Sequence, residues 1–171
     1  MKVMSRWGKN VNLNSPLQEY PRMQLQRGSY TNLNGRWEYQ ITDTNQLPYE
    51  HNWKPINVPF PLGSQLSGSD EILLPGKVLW YKKQFSYKPG EYHTYLNFEA
   101  VDQQCIVYLN GIEVGRHIGG YEPFSLDVSS YIKYQNALLV KCTDPSDTGE
   151  YAYGKQKIQH GGMWYTPISG I

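Results

Sequence analysis

The chain has 171 residues, with 16 Lys+Arg against 15 Asp+Glu and a net charge of +1, a length that one domain of about 100–200 residues accounts for. An aromatic fraction of 14% excludes a disordered chain, and the lack of any Lys/Arg run excludes a protein that tracks phosphates, so no nucleic-acid partner is expected. No apolar stretch approaches the ~18 residues of a membrane-spanning helix, so no membrane partner is expected either.

The start, Met1 to Trp7, carries no apolar core of the signal-peptide kind. With Met1 as the native start, the expectation is a cytoplasmic protein. Fifteen tyrosines, five tryptophans, 16 glycines and 11 prolines suit strands and turns better than helices. Two cysteines, Cys105 and Cys142, are too few for a disulfide framework.

Residues 1–30 read as irregular. Asn10, Asn12, Asn14, Ser15 and Pro16 break any period, and Tyr20-Pro21-Arg22 predicts an extended segment before proline. The division expected is an extended arm over 1–25, wrapped on a single sandwich domain over 26–171. After the Asn34-Gly35 turn, Trp37, Tyr39 and Ile41 alternate with polar residues as a half-buried strand does. A short strand over 56–58 is stopped by Pro59 and Pro61. Residues 78–87 are strand-like and aromatic. Leu96, Phe98 and Ala100 alternate, as do Cys105, Val107 and Leu109.

Asn110-Gly111 then separates two alternating runs, the strongest short hairpin signal, because a type I′ turn needs positive φ at both central residues. Phe124, Leu126 and Val128 alternate again, one helical turn is allowed over 127–132, and Leu138, Val140 and Cys142 close the series. Seven or more short strands without a long helix predict an all-β antiparallel sandwich or barrel. Its core is expected to hold Val107, Leu109, Phe124, Leu126, Leu138 and Val140. Trp37, Trp53 and Trp80 are expected to be buried, and both cysteines to point inward as free thiols.

Chemistry is sparsely signalled. His51, His93, His117 and His160 show no metal-ligand spacing and read as surface or loop residues, so neither a metal nor a cofactor is expected. No Gly-x-Ser-x-Gly elbow and no dinucleotide loop occurs. Asp102, Glu122, Asp127, Asp144, Asp147 and Glu150 lie near turns and could pair for glycoside chemistry, but spacing alone pairs none of them. The reading preferred is that Asp127, Asp144 and Asp147 fix turns. Residues 151–165 combine Tyr151, Tyr153, Trp164 and Tyr165 with Lys155, Gln156, Gln159 and His160. Such aromatics stack on sugar faces, or else fill a core or an interface.

Several segments in order, Pro21 to Leu25, Leu33 to Trp37, Leu79 to Phe85, Phe98 to Asp102, Val107 to Gly111, Gly119-Gly120-Tyr121-Glu122-Pro123-Phe124, Gly154-Lys155-Gln156 and Trp164 to Ile171, resemble the N-terminal sugar-binding domain of glycoside hydrolase family 2. The β-galactosidases and β-glucuronidases are in that family. The resemblance implies a jelly-roll, galactose-binding-domain-like β-sandwich. It also implies that the chain is one domain of a longer retaining β-glycosidase, ending one strand short of the family's domain. The catalytic glutamates of the family lie in a barrel domain, so no catalytic residue is expected here and the chain alone is expected to be inactive.

The partners implied are a β-glycoside substrate, the C-terminal domains of the same polypeptide and other subunits of a homo-oligomer. Where some relatives present an active-site carboxylate, this chain reads His160-Gly161-Gly162-Met163-Trp164. His160, Trp164 and Tyr165 are therefore the substrate-binding candidates. The alternatives are a stand-alone carbohydrate-binding module and a structural or oligomerisation domain.

Overall fold

The computed structural model describes residues 4–19, 21, 24, 27–44 and 46–171. Arg22, Met23 and Leu25, and with them most of the Pro21–Leu25 motif and of the pre-proline segment, lie outside the described residues. Among the described residues, eight strands run in chain order: β1 (Gly35–Asp43), β2 (Lys54–Val58), β3 (Lys77–Ser86), β4 (Tyr95–Phe98), β5 (Gln104–Leu109), β6 (Ile112–Ile118), β7 (Phe124–Asp127) and β8 (Gln135–Thr143). Helix among the described residues is limited to two short 3₁₀ turns, Gly8–Asn10 and Ser146–Thr148.

Six strands form one antiparallel sheet in the order β2-β1-β3-β8-β5-β6, and β4 pairs with β7 in a second, two-stranded sheet. The fold is the expected all-β sandwich. The turn between β5 and β6 holds Asn110 at φ 54° and Gly111 at φ 84°, the positive pair that the Asn-Gly signal predicts. A bulge follows: Val107 faces Gly115 while Tyr108 faces Glu113, leaving Val114 unpaired. The 127–132 segment makes one turn, with the Tyr131 and Ile132 amides both donating to the Val128 carbonyl at 2.9 Å.

Register writes the core in rows. Directly opposed residues point to the same face. One row is Ile41, Leu79, Cys142, Cys105 and His117; the next is Tyr39, Tyr81, Val140, Val107 and Gly115. The small sheet caps these rows with Leu96 and Phe98, and the 60–76 loop adds Leu62 and Leu73. Cys105 and Cys142 are buried, free and directly opposed.

Two expectations are corrected. Phe124 and Leu126 are half-buried against the core rather than inside it. Their strand β7 pairs only with β4, so the two-stranded layer leaves its rim open. Trp53 is half-buried too, lying just before β2 with Lys82 Nζ 4.4 Å above its ring. Trp37 and Trp80 are buried, but on opposite faces of the large sheet. Trp80 donates to Thr42 Oγ1 at 3.0 Å, and Gln40 beside it is tied to the backbone of Tyr49 by two bonds of 2.8 Å. That face is thereby partly covered by residues 46–53.

The 60–76 loop is pinned by a small ionic knot. Tyr39 OH donates to Glu71 Oε2 at 2.5 Å and shares a 2.8 Å bond with Ser69 Oγ, and Lys54 Nζ donates to the same Glu71 oxygen at 2.8 Å. Burial would raise the Glu71 carboxyl, but the bonds from Lys54 and Tyr39 outweigh it and hold it below its ordinary range.

Gly115 is required by a close approach. A Cβ there would run into Leu126 Cδ2 of β7. Gly115→Val should therefore lift β7 from β6 and cost about 1–3 kcal/mol, seen as a melting temperature lower by several degrees; an unchanged value would mean that β7 does not pack there. Glu71→Gln should lower stability at pH 7. A carboxyl depressed by folding adds stability that is present above its unfolded value near 4.3 and lost as pH falls through the lower folded value. The gap between Glu71→Gln and the unaltered protein should thus close as pH drops below about 4 in a pH series of thermal melts.

Candidate functional site

The β5–β8 pairing ends at Gln104 opposite Thr143. The next residues, Asp102 and Gln103 before β5 and Asp144 after β8, therefore emerge at one end of the sheet. The chain beyond Asp144 forms an irregular lobe over that end, and side chains hold it.

Asp144 Oδ1 accepts the Ser146 amide at 2.6 Å, and its Oδ2 accepts the Ser169 hydroxyl at 2.6 Å. The Asp102 and Gly170 backbones exchange two bonds of 2.8 and 2.9 Å. Gln156 Oε1 accepts the Ile168 amide at 2.6 Å, Asp147 Oδ1 accepts the Ile158 amide at 3.3 Å, and Gln104 Nε2 donates to Tyr151 OH at 2.6 Å. Gly170, at φ 89°, lies against Tyr81, whose hydroxyl a Cβ would strike.

At the lobe's tip Gly161 and Trp164 exchange backbone bonds of 3.0 and 3.1 Å around Gly162-Met163. His160 and Tyr165 flank that hairpin. Tyr165 bonds through its backbone to Lys155 and Lys157, at 2.7 and 3.0 Å, and the residue is 66% exposed. Trp164 is half-buried with Lys157 Nζ 4.2 Å over its ring. His160 is exposed, with Nδ1 3.2 Å from the Ile158 carbonyl oxygen. The three residues named from sequence thus lie on or beside one hairpin, as an imidazole, an indole and an open phenol, and Lys157 adds a cation beside the indole.

The remaining candidates sort differently. Asp127 and Asp144 do fix turns, through the amides of Ser129 and Ser146. Asp147 instead ties two distant parts of the lobe. Asp127 also meets His93 Nδ1 at 2.8 Å, and hydrogen bonds from Ser129, then His93, hold its carboxyl down at about 2. His51 is exposed near Glu50. His117 departs from the surface reading: it lies on β6, stacked on Phe124 at 4.3 Å, with an enclosed Nε2 that has no partner among the described residues.

Sequence spacing did not pair Asp102 with Asp144. The two line one small cavity of about 10 Å³ with Gln103, Ser146, Tyr151 and Gln156. Burial, reinforced by the Asp144 charge, pushes the Asp102 carboxyl up to about 6. No three His, Cys, Asp or Glu side chains converge among the described residues.

The strands and the end lobe define an all-β antiparallel sandwich domain. The family model described as "Glycosyl hydrolase 2 galactose-binding domain-like" matches residues 71–166, more than half of the chain, and the chain belongs to that family. A putative β-glucuronidase of Formosa agariphila is 34% identical over 125 residues, covering 68% of this chain and 15% of that protein. A β-galactosidase of Thermoanaerobacter pseudethanolicus is 46% identical over 63 residues, covering 34% of this chain and 8% of that protein. Among solved structures, a Bifidobacterium dentium β-glucuronidase superposes with a TM-score of 0.56 at 25% identity, over 67% of this chain and 20% of that one. The chain therefore spans only a small part of the relatives that it matches.

The lobe's geometry depends on single side-chain ties. Gln156→Leu keeps side-chain bulk but removes the acceptor for the Ile168 amide. That amide should then exchange with solvent at least several-fold faster by hydrogen exchange, while amides of β5 and β8 keep their protection.

Proposed function

We propose that this chain is the N-terminal accessory domain of a multidomain β-glycosidase, with the 144–171 lobe turned toward the catalytic domain and its tip lining the sugar pocket. The observation that carries the reading is the tip itself. Trp164 is backed by Lys157 and flanked by His160 and Tyr165 on a hairpin whose lobe is tied to the sandwich by Asp144, Gln104 and Asp102. A ring held in place stacks on the apolar face of a sugar with little ordering cost, while Lys157 and His160 reach hydroxyl or carboxylate groups at its rim. Exposed Met163 and Ile168 beside it offer apolar surface to a neighbouring domain.

The reaction in this reading is hydrolysis of a β-linked hexoside. The relatives named β-glucuronidase and β-galactosidase support that substrate class. The proton donor and nucleophile come from further domains, and this domain orients the sugar for them. Two buried, directly opposed and unbonded thiols support a reducing, cytoplasmic setting. The division into an arm over 1–25 and a sandwich over 26–171 is part of the same reading.

In the full-length enzyme, Trp164→Ala should lower kcat/KM for an aryl β-glycoside about ten-fold. That equals the ~1.4 kcal/mol of a decade and lies at the top of the aromatic stacking range. The melting temperature should stay within a degree or two. An unchanged kcat/KM together with a loss of several degrees would make Trp164 a packing residue and remove the tip from the pocket.

A further inference from the structure

The cavity at the end of the β5–β8 pair has an excess of oxygen acceptors. Asp102 and Asp144 both line it. Asp144 receives one hydrogen bond on each oxygen, and neither of those donors carries a charge. Among the described residues, Asp102 receives no side-chain hydrogen bond, and neither acid has a lysine, arginine or histidine in ion-pair range. Ser146, only 4% exposed, lines the same space, and its enclosed Oγ has no partner. Gln103, also buried, completes the wall.

Two carboxylates in a low-dielectric space without a positive charge are costly unless something neutralises them. An enclosed hydroxyl without a partner is a second deficit, and each such group in a folded protein calls for an explanation. A hydrogen-bond donor supplied by the fold would answer the hydroxyl but not the charge. One positively charged particle answers both. The room, about 10 Å³, is what a single ion or water takes up.

We propose that this cavity is a binding site for a calcium ion, held by the Asp102 and Asp144 carboxylates and the Ser146 hydroxyl, with Gln103 at its wall. Carboxylate and hydroxyl oxygens without nitrogen or sulfur select a hard cation. Ca²⁺ accepts irregular oxygen sets, whereas Mg²⁺ demands a near-ideal octahedron that two acids on loop ends do not supply. Its double charge balances the two carboxylates.

The site is structural, since its ligands also hold the lobe. The Asp102 backbone clasps Gly170, and Asp144 clasps Ser169. Neutralising the pair removes the repulsion between the two anchor points of the 144–171 segment. The inference does not depend on the sugar-pocket reading.

The test uses the full-length protein stripped of metal with a chelator and exchanged into buffer at pH 7.5. Calorimetric titration with calcium chloride alone should show one site that Asp102→Asn abolishes. Calcium at a hundred-fold excess over Kd should raise the melting temperature by about 4 °C or more, and Asp102→Asn should lose that response. Ser146→Ala, a substitution with little risk to folding, should weaken calcium binding several-fold. It serves as the decisive variant if Asp102→Asn fails to fold.

A calcium response that persists unchanged in Asp102→Asn or Ser146→Ala would place the ion elsewhere and overturn the assignment. So would the absence of any calcium response in the metal-free protein.

Discussion

The antiparallel register between β5 and β8 is the constraint on which the remainder of the structure depends. From Leu109 opposite Leu138 to Gln104 opposite Thr143, it fixes which side chains meet at the centre of the large sheet. A slip of one residue would turn Val107, Leu109, Leu138 and Val140, all wholly buried, out to solvent. At roughly 1.5–3 kcal/mol for each large aliphatic side chain buried, that would cost far more than any one polar tie could restore. The same register brings Asp102, Gln103 and Asp144 together at the sheet's end. The core and the polar cavity are thus two consequences of one pairing.

What the sequence disclosed follows from this. Period-two alternation is strong where a strand has one buried and one open face, as in 104–109 and 135–143, and both segments are strands. Asn110-Gly111 marked its hairpin because few other pairs adopt two positive φ values without strain. Alternation weakens where both faces are covered. Val78, Leu79, Trp80 and Tyr81 are all buried in succession, because residues 46–53 pack on the side of the large sheet away from the core. Phe124 and Leu126 alternate as core residues do, yet the two-stranded layer is too narrow to enclose them. Alternation reports which face a residue takes and not how far its layer extends.

The candidate site was legible only in part. The tip residues His160, Trp164 and Tyr165 are close in the chain, so their proximity needed no tertiary information. Asp102 and Asp144 are far apart in the chain, and each alone looks like an ordinary turn residue. Asp144 does fix its turn through the Ser146 amide. Its second role depends on a strand pairing that no local pattern specifies. His117 was hidden for a related reason: its ring stacks on Phe124 from a different sheet.

The lobe shows how an irregular segment is placed accurately without secondary structure of its own. Its length would carry a large conformational entropy if free, and burial supplies little to oppose it, since much of its aromatic surface is exposed. The opposition comes from directional bonds to groups already fixed by the sheet: Ser169 on Asp144, Gly170 on Asp102, Tyr151 on Gln104. Each anchor lies within two residues of an end of β5 or β8, so the lobe is held by groups that the sheet positions. That arrangement also makes the lobe answerable to charge. Two of its anchors are acids that share one enclosed space, and in a low dielectric their repulsion acts directly on the segment they hold. Neutralising the pair removes that repulsion from the two points where Ser169 and Gly170 are held.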